Sequence, residues 1–312
     1  MEAGIAVLVP AVTDSTNLDK TLVALERERG SFALDVFVVS RQGVAFDERV
    51  RTTFPRIRVI SVAAATPIPQ MRLAGLQEVQ REYVAVIEDH VVVPPGWAGR
   101  MLARAREKGG VVAGPVSNGA TDSLSSRAAF LCEYSQSLPP QTAGARTSLP
   151  GNNTCYQTVE LLRYSSLLLA GCWEDVVHRQ IRESGGRLYL DPMVEAVHDL
   201  PYSAAGYIGD RYHYSRAFAA ARLRGASFAI KVLYAAGAVL LPPVLLARIL
   251  AKALARPQYR ADALMSLPLL TLFVVAWAGG EVVGYLAGPG NSLGIRQDIN
   301  RFYIFFSEHE LC

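Results

Sequence analysis

A triplet that combines two carboxylates with an imidazole, Glu88-Asp89-His90, directly follows the apolar run 83–87. The run is typical of a buried strand, and the end of such a strand holds its side chains at the edge where open α/β sheets bind ligands. Carboxylate oxygens and imidazole nitrogens are ligands for divalent cations. The triplet therefore predicts a cation site for a phosphorylated ligand or, more simply, a polar turn after a strand.

A second pair of carboxylates, Glu174-Asp175, opens the helical pattern at 173–184. Carboxylates at a helix start complement the helix dipole, so the pair could be purely structural. If a hydroxyl group of a ligand lies nearby, the same position suits a general base. His198 follows the strand-like run 194–197 and is a further candidate cation ligand, although a single histidine could equally be structural.

Short β-rich runs alternate with helical patterns through the first two thirds of the chain. The runs lie at 4–9, 34–39, 57–62, 83–87 and 111–113. This alternation predicts an α/β fold with a mainly parallel central sheet. Pro10, Ser40 and the triplet follow three of these runs and are expected at the ligand-binding edge.

The C-terminal third is much more apolar than the rest. Hydrophobic residues make up 51% of the chain and charged residues 19%. Residues 226–247 contain one charge, Lys231, and residues 263–280 contain none. At ~1.5 Å per residue, either stretch is long enough to cross a bilayer core of ~30 Å. The alternative is a pair of buried core helices.

The first apolar stretch has a pattern that favours the membrane surface. Pro242-Pro243 interrupts it, and Arg248, Lys252 and Arg256 then recur four residues apart, as in an interfacial amphipathic helix. Basic residues flank both ends, so the positive-inside rule leaves the topology open. A re-entrant or in-plane segment would keep both basic clusters on the cytoplasmic side. No signal-peptide pattern precedes the first strand, and we expect the globular part at the cytoplasmic face of a membrane.

Charge and cysteine spacing exclude two other classes. The net charge is +3 and no basic run is interleaved with aromatic residues, which argues against nucleic acid as a partner. The four cysteines form no CxxC pair, so a zinc module is not indicated.

The order of motifs along residues 4–216 resembles that of the family 2 glycosyltransferases of GT-A fold. The motifs are the strand ending at Pro10, Arg72-Leu73-Ala74-Gly75-Leu76, Glu88-Asp89-His90, Pro94-Pro95-Gly96-Trp97, the segment 150–156, Cys172-Trp173-Glu174-Asp175 and the basic segment 210–216. The resemblance implies transfer of a sugar, with inversion, from a nucleotide-diphosphate sugar, with Mg²⁺ or Mn²⁺ as cofactor. A nucleotidyltransferase is disfavoured because no glycine-rich loop follows the first strand.

The resemblance also implies roles for individual residues. Asp175 would be the general base, supported by Glu174. The implied metal ligands are Glu88, Asp89, His90 and His198. The implied donor-binding residues are Pro10, Ser40, Arg72, Asp89, Asn152, Asn153, Arg211 and Arg216. The two arginines could instead form a basic patch beside lipid headgroups, and the asparagines could simply cap a turn.

The chain is thus expected to comprise a GT-A-type domain at 1–215, a hydrophobic membrane-associated helical module at 216–290 and a tail at 291–312. Its acceptor would be lipid-linked or close to the membrane. The alternative is a non-catalytic nucleotide-sugar-binding or scaffolding membrane protein of the same fold. Two departures from the family pattern favour that alternative: Glu and His flank the central Asp89, and Ser40 replaces an aspartate expected to contact the base.

Overall fold

The computed structural model describes residues 1–12, 16–28 and 30–292. These residues form two compact units. The sheet unit comprises 1–119 and 139–199, and the helical unit comprises 120–138 and 200–292. The predicted boundary at 215 falls inside a continuous helix, and the insertion 120–138 belongs to the helical unit although it lies early in the sequence. Beyond residue 292 the predicted tail lies outside the described residues.

The sheet unit contains all the described strands. They are β1 (Glu2–Ala11), β2 (Leu34–Ser40), β3 (Arg58–Ser61), β4 (Arg81–Ile87), β5 (Val91–Val92), β6 (Val111–Ala113), β7 (Val116–Asn118), β8 (Gly144–Ala145), β9 (Asn153–Gln157), β10 (Leu188–Leu190) and β11 (Ala196–His198).

Helices lie between the strands and fill the helical unit. They are α1 (Thr16–Glu26), α2 (Val44–Thr53), α3 (Ile68–Glu78), α4 (Trp97–Lys108), α5 (Leu124–Tyr134), α6 (Thr158–Leu162), α7 (Ser165–Leu169), α8 (Glu174–Glu183), α9 (Ala204–Arg222), α10 (Phe228–Ala238), α11 (Leu241–Leu254), α12 (Arg260–Met265) and α13 (Leu267–Ala287).

The main sheet has eight strands in the order β3-β2-β1-β4-β9-β6-β10-β8. The first four are mutually parallel, and β9 runs antiparallel to both β4 and β6. A smaller sheet has the order β5-β11-β7. The predicted α/β fold with a mainly parallel central sheet is confirmed.

The two faces of β1 enter two different cores, because alternate residues of a strand point to opposite faces. Ile5, Val7 and Val9 pack with apolar residues of α1, α2 and α4, whereas Ala6 and Leu8 pack with those of α3 and α8. This double burial explains why the β1 run is continuously apolar rather than alternating.

In the helical unit, α13 packs closely along α9. A Cβ atom at Gly280 or Gly284 would collide with the α9 backbone at Tyr212 or Arg216, so only glycine permits this approach. α13 is long and apolar enough to span a membrane, and half of its most apolar stretch is buried. α10 and α11 could form a second span only as a bent pair, with an angle of 47° between them. The apolar C-terminal helices predicted from the sequence are therefore present, while their topology stays a prediction.

Candidate active site at the end of β4

Glu88, His90 and His198 come together at the carboxyl end of β4, and all three are buried. The turn after β4 leads into β5, and β5 pairs with β11 so that His198 is opposite Val91. This register brings the His198 ring edge-to-face against the His90 ring, with 4.6 Å between centroids. One ligand atom from each of the three residues lies within 4.8 Å of the others, which is a spacing that a single cation can bridge.

Asp89 is held by the protein and lies outside this ligand set. Its Oδ2 accepts a hydrogen bond from the backbone N–H of Val12 at 2.9 Å, and its Oδ1 is 2.7 Å from His90 Nδ1. A carboxylate only accepts, so Nδ1 of His90 carries a proton and Nε2 is directed towards Glu88. Asp89 is thus placed to orient the His90 ring, as a residue behind a ligand does, and its predicted role as a direct metal ligand stays a prediction.

The electrostatics of His90 favour a positive charge at this point. Burial lowers the pKa of His90, but its hydrogen bonds to Asp89 and Glu88 outweigh that effect and raise the pKa to about 9. His90 Nε2 lies 3.1 Å from Glu88 Oε2, within hydrogen-bond distance.

The types of ligand atom indicate which cation the site fits. Glu88 supplies oxygen, and His90 and His198 supply imidazole nitrogen. Mg²⁺ is held almost entirely by oxygen ligands, whereas a mixed set of two imidazoles and one carboxylate suits a first-row transition metal. Of the two ions predicted from the sequence, the residues therefore fit Mn²⁺ better than Mg²⁺.

Of the two neighbouring asparagines, only Asn152 contacts the candidate ligands. Its Nδ2 donates to Glu88 Oε2 at 3.1 Å. Asn153 is fully buried: its Oδ1 accepts from Trp97 Nε1 at 3.1 Å, and its Nδ2 donates to two backbone carbonyls of neighbouring segments. The structure does not support the prediction that Asn153 binds the donor, because these bonds use its side chain to join parts of the fold.

The first turn of α8 is fixed by a buried ion pair. Arg72 of α3 pairs with Glu174, and its guanidinium lies 5.8 Å from the centre of the Trp173 ring. Arg72 was predicted to contact the donor, but the structure places it, almost fully buried, against Glu174. The ion pair between Arg72 and Glu174 therefore also helps to fix the position of Asp175, the residue after Glu174.

Asp175 is the partly exposed carboxylate of this turn. Burial raises its pKa, although backbone hydrogen bonds and Arg179 oppose the shift. Trp173, two residues before it, packs against the apolar cluster that contains Val12, whose N–H binds Asp89. The chain that leads into Asp175 therefore contacts the same edge of the sheet as the β4 triplet.

A second buried contact anchors α8 to the sheet. The hydroxyl of Tyr156 in β9 lies 2.8 Å from His178 Nε2, and both side chains are almost completely buried. Burial, and then the charges of Arg72 and Arg182, lower the pKa of His178 to about 3, so it is neutral. Sequence reasoning did not single out either residue: Tyr156 was noted only as the last residue of the motif 150–156, and His178 belongs to no motif.

Pro10 and Ser40 lie at the ends of neighbouring strands, as predicted. Pro10 is opposite Val39 in the parallel pair of β1 and β2. The Ser40 hydroxyl accepts a hydrogen bond from the backbone N–H of Gln42 at 3.1 Å and shapes the turn after β2. Both residues are buried, and their contact with a donor stays a prediction.

The basic segment 210–216 lies in α9 of the helical unit. Arg211 has an exposure of 0% and lies between aromatic rings, 5.1 Å from the ring centre of Tyr207, 5.4 Å from that of Tyr214 and 5.0 Å from that of Trp277. Arg216 Nε donates to a backbone carbonyl after α13 at 3.0 Å. The prediction that Arg211 clamps donor phosphates is not supported, because cation–π contacts bury it inside the helical unit.

No protein-family model matches the sequence, and no curated protein is significantly similar to it. Among solved structures, the chain is similar to GalNAc-T7 in a crystal structure with UDP, GalNAc and Mn²⁺, with a TM-score of 0.48 and 10% sequence identity. The similarity covers 64% of this chain and 44% of that chain, so this chain spans less than half the length of GalNAc-T7. At this level of similarity, function has to be inferred from the residues of the site.

Proposed function

We propose that the chain is a membrane-associated glycosyltransferase that moves a sugar from a nucleotide-diphosphate sugar to a lipid-linked or membrane-proximal acceptor. The observation that carries this proposal is the buried Glu88-His90-His198 set at the end of β4, at the same sheet edge as the segment leading into Asp175. The Glu88-His90-His198 set could hold a cation that receives a diphosphate, and the carboxylate of Asp175 can receive a hydroxyl proton. The α/β fold agrees with the resemblance of the sequence to GT-A glycosyltransferases.

The metal site serves the leaving group. Glu88, His90 and His198 would hold a divalent cation, preferably Mn²⁺, and Asp89 would orient His90 through its hydrogen bond to Nδ1. A cation held there would supply positive charge to the diphosphate that departs from the sugar. Asn152, which donates to Glu88, fixes the direction of that carboxylate.

Asp175 is the general base on the acceptor side. Its carboxylate takes the proton of the acceptor hydroxyl while that oxygen forms the new bond to the anomeric carbon. The bond from the anomeric carbon to the phosphate oxygen breaks at the same time, and the electron pair leaves with the nucleoside diphosphate. A single displacement from the opposite face inverts the anomeric centre. The raised pKa of Asp175 makes it a better proton acceptor near neutral pH.

The helical unit attaches the enzyme to the membrane that contains its acceptor. α13 spans the bilayer, and the bent α10–α11 pair lies at the cytoplasmic surface, so the sheet unit works on the cytoplasmic face. α13 meets the length and composition of a span. This attachment places the enzyme next to an acceptor that resides in the membrane.

Transfer and donor hydrolysis by the purified full-length chain test the proposal. A panel of nucleotide-diphosphate sugars with Mn²⁺ should yield turnover with at least one donor, and Asp175→Asn should lower it by about 10²–10⁴-fold while nucleotide binding is retained. Asp122→Asn, at an exposed position of the helical unit, is the matched control and should keep full activity. Nucleotide binding without turnover in the unmodified chain would favour the non-catalytic alternative.

A further inference from the structure

A groove in the helical unit combines positive charge with a wall of small residues. It has a volume of about 240 Å³ and is partly open to solvent. Alanines of α9 and Gly284 and Gly288 of the α13 region line much of its wall, together with the larger residues Leu223, Tyr285 and Pro289, and Arg224 and Lys231 stand at its rim. Among these lining residues, Arg224 and Lys231 are the ones that carry a charge, so they are the groups that can recognise a charged ligand. We refer to this feature as the basic groove.

The charge of the basic groove is not compensated. Within the part of the chain that the structure describes, neither Arg224 nor Lys231 makes an ion pair, and no carboxylate is among the lining residues. The surrounding sequence, 224–261, contains no Asp or Glu at all. The neighbouring Arg222 differs, because it reaches Glu281 and the Tyr285 hydroxyl. The rim cations are therefore available to an external anion.

The surface beside the groove is strongly apolar. Phe228 is 71% exposed and Leu233 69% exposed on α10, and Val239 and Leu240 follow with 65% and 66%. Large exposed apolar side chains next to unpaired cations are the pattern of a surface that meets acyl chains and charged headgroups together. A soluble anion would make no use of these apolar residues.

We infer that the basic groove binds the phosphate headgroup of an anionic membrane phospholipid, with its acyl chains along the exposed face of α10. Arg224 and Lys231 contact the phosphate from the rim, and the glycine and alanine wall admits the headgroup. This site is separate from the donor and acceptor chemistry proposed above, and it holds whether or not the sheet unit is catalytic. Its role is to select anionic membranes and to fix the depth of α10.

Lipid-dependent thermal unfolding of the full-length chain in an uncharged detergent tests the inference. Dioleoylphosphatidylglycerol should raise the unfolding temperature, whereas dioleoylphosphatidylcholine, with the same acyl chains, should not. The variant R224Q/K231Q should bind phosphatidylglycerol about 25-fold more weakly, since each lost charge near an anionic lipid weakens binding about fivefold. R224K/K231R keeps both charges and should retain the effect.

Three outcomes would overturn it. Equal stabilisation by phosphatidylcholine would leave only the acyl chains as ligand. Equal stabilisation by soluble glycerol 3-phosphate would assign the groove to a free phosphate. The control R27Q/R187Q removes two exposed charges from the sheet unit. An equal loss of phosphatidylglycerol binding in this control would show that the effect depends only on net charge. If R224Q/K231Q does not fold, the single variants R224Q and K231Q carry the same test.

Discussion

His198 packs edge-to-face against His90 with 4.6 Å between ring centroids, although β11 and β4 are far apart in the sequence. The pairing of β5 with β11 produces this neighbourhood, since it places His198 opposite Val91, the residue after His90. His198, a candidate metal ligand on β11 of the smaller sheet, thus lies beside His90, which follows β4 of the larger sheet.

The first prediction concerns His198 as a ligand. His198→Ala should weaken Mn²⁺ binding at least tenfold, because one of three protein ligands is lost. Isothermal titration of Mn²⁺ into the purified chain measures this. His213→Ala, in the helical unit, is the control and should bind Mn²⁺ normally. Unchanged affinity in His198→Ala would remove this residue from the site.

The second prediction concerns Asp89 as an orienting residue. Asp89→Ala leaves the buried N–H of Val12 without this acceptor and frees the His90 ring, so it should lower the free energy of unfolding by ~1–3 kcal/mol. It should also weaken Mn²⁺ binding by about 10–100-fold, as loss of a residue behind a ligand does. Urea denaturation and metal titration measure the two effects. Complete loss of Mn²⁺ binding in Asp89→Ala would instead indicate that Asp89 is a direct ligand.

The third prediction concerns the buried pair of Arg72 and Glu174. Either Arg72→Met or Glu174→Gln should cost ~3–5 kcal/mol of unfolding free energy, because each leaves the other partner in a buried site without its pair. The double variant should cost clearly less than the sum. Urea denaturation of the four proteins gives the coupling energy, and simple additivity would show that the pair does not position α8.

The fourth prediction concerns pH and His178. Its pKa is lowered to about 3 in the folded chain from 6.5, so the unfolded chain takes up a proton first as the pH falls. The neutral His178 therefore contributes stability above pH 6.5 that is lost progressively between pH 6.5 and about 3, by up to ~1.4 kcal/mol per pH unit.

His178→Gln keeps a polar partner for the Tyr156 hydroxyl but cannot take up a proton. The free energy of unfolding of this variant, measured from neutral pH to about pH 4, should fall less steeply than that of the unmodified chain. Parallel curves for the two proteins would show that His178 does not account for the loss.

Much of the sheet unit was predictable, because its parallel strands are buried on both faces and are continuously apolar. The predicted runs 4–9, 34–39 and 83–87 correspond to β1, β2 and β4. β9 is not among the predicted runs, because its sequence Asn153-Thr154-Cys155-Tyr156-Gln157 has no apolar period. Its strand conformation comes from pairing with β4 on one side and β6 on the other.

The sequence by itself determined the α/β class, the apolar C-terminal third and the polar triplet at the end of β4, because strand burial and strand ends leave local patterns. Only the tertiary structure decided the role of each polar residue. It turned Asp89 towards Val12, brought His198 to His90, paired Arg72 with Glu174 and buried Arg211 among aromatic rings. The physical reason is that the role of a charged side chain depends on the groups that it contacts. These groups come from distant segments of the chain, and no local sequence pattern specifies which segments come together.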